Sequence, residues 1–235
     1  MTPEHKKILS ELKKKPTKKG NVYHSKNYTG SEHKAYFVSA PDLRSILKNW
    51  LKANPDLKAS DIFKTVSSLM LGKSHEEKMM GAYLLGYRKD VRKITKTHHL
   101  DKWLDGLVGW AEIDALCQNI FSAEEVLLNW KSWKPFLIDL SESSNINKRR
   151  ASLVFLVGPT WKSDNTKFHN LAIKNIEKLK VEKGILITKA ISWLLRCMII
   201  TRRKETEEYL ESNCENLPKI AVRETSNKLL KLSSN

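Results

Sequence analysis

Apolar residues along this chain recur at intervals of three and four rather than in alternation. The spacing is plainest in Asp42 to Leu51, Ala59 to Leu71, Leu171 to Leu179 and Gly184 to Ile200, and it predicts a buried stripe on a helix in each. Alternating runs that would read as strands are scarce. Punctuation supports these boundaries: Pro41 followed by Asp42 suits a helical first turn, and Ser60-Asp61 and Ser122-Ala-Glu-Glu125 read as capped starts. Gly72, Gly158-Pro159 and Pro218 predict breaks.

A weak internal period becomes visible when the apolar segments are aligned on a shared small residue. Met79 to Arg88, Glu112 to Phe121, Lys148 to Val157, Ile187 to Arg196 and Arg223 to Leu232 align on Ala82, Ala115, Ala151, Ala190 and Ser226, at intervals of 33, 36, 39 and 36 residues. Such an interval is too long for one helix and fits a helical pair. The expected fold is therefore all-α: an α-α superhelix, a right-handed curved solenoid of HEAT-like helical repeats. It is expected as a single domain over residues 21–235, preceded by a basic helix or tail over 1–20. No tetratricopeptide signature is present.

Composition agrees. Nine Gly and seven Pro in 235 residues fall below the usual combined share of about 12%, which disfavours turn-rich folds. The balance of 42 Lys plus Arg against 26 Asp plus Glu leaves a formal charge of +16. A lysine-rich composition is the plain explanation, and a polyanionic partner is the more informative one. No 18-residue apolar run, signal peptide or lipidation motif points to a membrane, because Lys189 and Arg196 interrupt the most apolar helix. Cys117, Cys197 and Cys214 are odd in number and far apart, so neither a disulfide framework nor a zinc pattern is expected. A cytoplasmic monomer is expected, nucleoid-associated in a bacterium, working without metal or cofactor.

The repeat alignment also gathers candidate chemistry. Positions five before, one before and three after the aligned small residue form one i, i+4 stripe: Trp110, Asp114, Gln118 in one unit, Ile146, Arg150, Val154 in the next, and Ile185, Lys189, Trp193 in the one after. Taken singly, each tryptophan reads as core, Asp114 as a surface carboxylate, and Arg150 within Lys148-Arg149-Arg150 as a solvated basic turn. Their shared register is what distinguishes them. A carboxylate, a base and two indoles at matching positions predict a binding wall.

The sequence resembles the HEAT-like repeat DNA glycosylases of the AlkD type, which excise alkylated purines. The resemblance rests on Trp110-Ala-Glu-Ile-Asp114, Asn145-Ile-Asn-Lys-Arg-Arg150-Ala151 and Ile187-Thr-Lys-Ala-Ile-Ser-Trp193-Leu-Leu-Arg196, with weaker similarity in Phe37-Val-Ser-Ala-Pro41-Asp-Leu-Arg44 and Leu217 to Glu224. It implies catalytic roles for Trp110, Asp114 and Trp193, and DNA contacts for Arg150, Arg196, Tyr28 and Ser39. Lys148, Arg149, Lys189 and Arg223 are weaker candidates for phosphate contact, and the lysines from Lys13 to Lys19 for a nonspecific clamp or a solvated tail. Two positions depart from the family: Gly109 stands where some members carry another tryptophan, and Ser39 where they carry a polar amide.

The implied reaction suits these residue types. A purine alkylated at N3 or N7 already carries positive charge, so its bond to C1′ breaks without protonation of the leaving base. The enzyme needs mainly a carboxylate near the developing sugar cation and electron-rich rings beside the base. The implied partner is double-stranded DNA containing alkylated bases, handled without flipping the base into a pocket. Both indoles are expected to be partly exposed and to face one cleft with Asp114. The competing expectation is a noncatalytic helical-repeat protein that grips damaged or structured nucleic acid. A peptide-binding scaffold would require acidic clients.

Overall fold

The computed structural model describes residues 1–17, 26–118 and 120–233, without the side chains of 26, 27 and 233. Lys18 and Lys19 of the basic stretch, and the expected boundary near residue 20, lie outside the described residues. The fold is all-α. Among the described residues the only extended pairing is an isolated bridge between Lys34 and Ser74. The chain divides into two compact units, Met1–Leu116 and Cys117–Asn235.

The first unit begins with α1 (Pro3–Lys13), whose start is capped by Thr2 and which buries Ile8 and Leu12. Its second residue, Glu4, accepts the Trp50 indole N–H at 3.0 Å, so the basic N-terminal helix is packed rather than loose. A single turn, α2 (Lys26–Thr29), and an extended strap follow. Next come α3 (Ala40–Ala53), α4 (Ala59–Met70) and α5 (His75–Tyr87). Leu43, Leu47, Ile62, Val66, Leu84 and Leu85 fill the core between them. The unit continues through α6 (Lys89–Ile94), α7 (Thr97–Leu104) and α8 (Gly109–Cys117), the last of which carries Trp110 and Asp114.

The second unit contains α9 (Ala123–Leu128), α10 (Trp130–Glu142), α11 (Ile146–Lys162), α12 (Thr166–Leu179), α13 (Ile185–Thr201), α14 (Arg203–Asn213) and α15 (Lys219–Ser233). The helices carrying Ala151, Ala190 and Ser226 are α11, α13 and α15, and they stack in that order, each on the next. Here the 39- and 36-residue intervals correspond to consecutive helical pairs. Trp133, Phe136 and Phe155 form an aromatic cluster with edge-on and tilted contacts at 5.4 to 6.0 Å. Buried Asn175 on α12 donates to the carbonyls of Leu137 on α10 and Ser152 on α11, tying three helices with one amide.

Two punctuation expectations fail. Ser60 lies inside α4, which starts after Lys58 without any side-chain cap. Gly158-Pro159 does not break α11, which runs on to Lys162. Every residue from Arg150 to Thr160 is buried, so packing on both sides outweighs the loss of one backbone hydrogen bond at the proline. Ser122, by contrast, forms a full capping box with Glu125, and Pro218 immediately precedes α15.

Candidate active site

Helix α8 starts against the strap. Gly30 and Gly109 both have positive φ, +70° and +78°, and their backbones touch. A Cβ added at Gly109 would sit 2.4 Å from both the Gly30 carbonyl carbon and the Thr29 oxygen, so no larger residue fits the conformation or the space. This gives the departure from tryptophan at position 109 a steric cause: strap backbone occupies that place. One residue on, the Trp110 indole N–H donates to the Tyr28 carbonyl. The Tyr28 ring stands edge-on to the indole at 5.4 Å and 78° and is 42% exposed. Trp110 is half-buried, and so is Asp114, one helical turn further on.

Beneath this corner lies a carboxylate that sequence reasoning did not single out. Glu112 is buried, and it accepts from the Ser31 hydroxyl at 2.5 Å, the Val108 backbone N–H at 3.0 Å, and the Nδ1 atoms of His33 at 3.0 Å and His75 at 2.9 Å. Burial pushes its pKa up, but hydrogen bonds from His75, Ser31 and Val108 outweigh that and hold it below the ordinary glutamate value. Lys78, also buried, is pushed down by burial against the pull of Glu112 and Glu77. A signal for Glu112 did exist. It stands between Ala111 and Ile113, both buried, on a different face of the helix from the Trp110–Asp114 stripe.

A second buried glutamate fastens the other end of the strap. Glu76 accepts from the backbone N–H groups of Tyr36, at 2.9 and 3.0 Å, and of Val38, at 3.4 Å. Phe37 between them is held at φ +61°, an unfavourable conformation for an aromatic residue, which persists only where neighbours over-determine it. Ser39 ends the strap as the N-cap of α3, accepting from the Asp42 N–H and donating to the Asp42 carboxylate. Capping accounts for that serine.

In the second unit, Ile185, Lys189 and Trp193 lie along one face of α13: Ile185 is 60% exposed, Lys189 exposed and Trp193 half-buried. Cys197, the next residue of that row, is a neutral thiol. Burial raises its pKa to about 11 despite nearby Arg196 and a hydrogen bond from Trp193. The equivalent row on α11 is different in kind. Arg150 is only 5% exposed, Val154 is fully buried, and one Arg150 nitrogen donates to the Leu186 carbonyl in the first turn of α13. Arg149 makes a two-point ion pair with Glu182 at 2.7 and 3.1 Å and also donates to the carbonyls of Ser143 and Ser144. Arg196 pairs with Glu224 at 3.3 Å. Lys148 is half-buried, and Arg223 is exposed.

The family model for DNA alkylation repair enzymes matches residues 7–229. The chain belongs to the DNA alkylation repair enzyme family. A solved structure described as a predicted DNA alkylation repair enzyme from Enterococcus faecalis has the same fold, with a TM-score of 0.67 at 19% identity over 86% of this chain and 91% of that one. No curated protein matches in sequence. Membership in the DNA alkylation repair enzyme family assigns the chain a role in repair of alkylated DNA, with DNA as its partner. No helix among the described residues is long and apolar enough to cross a membrane.

Proposed function

We propose that this member of the family is a monofunctional DNA glycosylase acting on positively charged N3- and N7-alkylated purines in duplex DNA. The observation that carries the reading is the Trp110–Asp114 pair, an accessible indole and a carboxylate one turn apart on α8, in a chain of this family. Asp114 stabilises the cationic sugar as the bond to the base breaks and orients the attacking water. Trp110 presents its π face to the charged base, and the family resemblance gives Trp193 a catalytic role as well, a cation–π contact being worth about 0.5 to 2 kcal/mol. Neutral purines gain little from those rings, so selectivity follows charge.

Exposed Lys189 and Arg223 are the best placed of the predicted cations to reach phosphate oxygens. Arg149 and Arg196 already have carboxylate partners, and buried Arg150 acts by holding the first turn of the helix that bears Trp193. Tyr28, exposed beside Trp110, lies within reach of a DNA strand that approaches the indole. The test is release of 7-methylguanine from methylated duplex DNA under single-turnover conditions. The wild type should release it, and Asp114→Asn should be slower by about 10²-fold or more. Equal rates for the two proteins would remove the enzymatic reading and leave a DNA-gripping role.

A further inference from the structure

We propose that Glu112 is a positioning residue of the site: by gripping Ser31 and His33 it clamps the strap onto α8, and the clamped strap presents the Tyr28 carbonyl that fixes the Trp110 ring. This rests on the glycosylase reading for its catalytic consequence, while the clamp itself rests on geometry alone. Two groups on the same helix face the same strap. Glu112 takes the hydroxyl of Ser31 at 2.5 Å and Nδ1 of His33 at 3.0 Å. Trp110, two residues earlier, donates its indole N–H to the carbonyl of Tyr28. Between the two attachments the Gly30 and Gly109 backbones are in contact, which leaves the strap no slack.

The energetics favour a device over an incidental contact. A buried carboxylate is costly unless its acceptor sites are filled. Glu112 is filled from three directions: the strap through Ser31 and His33, α5 through His75, and its own helix start through the Val108 N–H. An indole with a free N–H swings about two side-chain torsions, whereas one anchored at its nitrogen and packed edge-to-face with Tyr28 is restricted in both. Orientation of a ring against a reacting base is worth rate rather than affinity. The clamp therefore acts on the chemical step through Trp110.

The experiment removes only the strap side of the clamp. Ser31→Ala combined with His33→Ala leaves Glu112 held by His75 and Val108, so α8 keeps its start and the fold is retained, as circular dichroism would verify. The indole N–H signal of Trp110, assigned by its disappearance in Trp110→Phe, is followed by ¹⁵N–¹H correlation with solvent exchange. Exchange should accelerate at least about tenfold, because local opening of the strap now exposes the bond. On 7-methylguanine duplex, the single-turnover rate should fall about tenfold to a hundredfold while the DNA Kd moves less than about twofold.

An unchanged indole signal in the folded double variant overturns the clamp. A freed indole with an unchanged rate overturns its catalytic role. Should the wild type release no base at all, the glycosylase reading fails instead, and the indole exchange alone still decides whether Glu112 clamps the strap.

Discussion

At residue scale, position 109 decides whether the site corner can exist. Gly109 combines φ +78° with a backbone contact that leaves a Cβ nowhere to go. Gly109→Ala should therefore cost about 2 to 4 kcal/mol in chemical denaturation, or displace the strap and free the Trp110 indole. A neutral alanine variant would show that the Gly30–Gly109 contact yields easily. The residue scale also shows why Trp110 was legible in the sequence and the strap and α5 partners of Glu112 were not. Trp110 and Asp114 announce themselves through type and spacing, whereas the partners of Glu112 lie 37, 79 and 81 residues away in sequence. No local pattern encodes such pairings.

At element scale, period and capping carried most of the fold. The stretches Ala59 to Leu71 and Gly184 to Ile200 appear as helices Ala59–Met70 and Ile185–Thr201, and all five aligned small residues lie on helices. Errors arose where a local rule met a stronger tertiary effect, as at Pro159, or where a cap former stood two residues too far along to cap its helix, as at Ser60. The stripe register was legible too, yet equal register did not mean equal surroundings: Lys189 is exposed while Arg150 is buried. The α4–α5 connection gives an electrostatic prediction. Burial raises the pKa of Glu77, but hydrogen bonds from His5 and Ser74 overcome it and hold the carboxyl at about 2. A depressed carboxylate stabilises the fold above its ordinary value of 4.5, and that contribution is lost as pH falls from there toward 2. Glu77→Gln should lower stability at neutral pH and flatten the pH dependence between about 4.5 and 2, read by thermal melting across that range. An unchanged acid limb would mean that the His5–Glu77 pair at 2.8 Å carries no linkage.

At the scale of the whole molecule, the +16 charge and a DNA partner make salt the natural probe. The logarithm of the binding constant should fall with the logarithm of salt concentration at a slope near −0.9 for each phosphate neutralised. Replacing Lys189 and Arg223 by alanine should reduce that slope by about one for each residue that contacts a phosphate. Arg149→Ala should leave the slope alone, since its guanidinium is already held by Glu182. Equal losses of slope from all three would show that total charge matters and placement does not.

The central claim is that catalysis depends on the charge of the base, with Asp114 stabilising the sugar cation and no acid protonating the leaving group. Its most direct test is a pair of single-turnover rates in one duplex sequence, one for cationic 7-methylguanine and one for neutral hypoxanthine. The account predicts that 7-methylguanine is released and hypoxanthine is retained over the same period. Comparable release of both bases would contradict it.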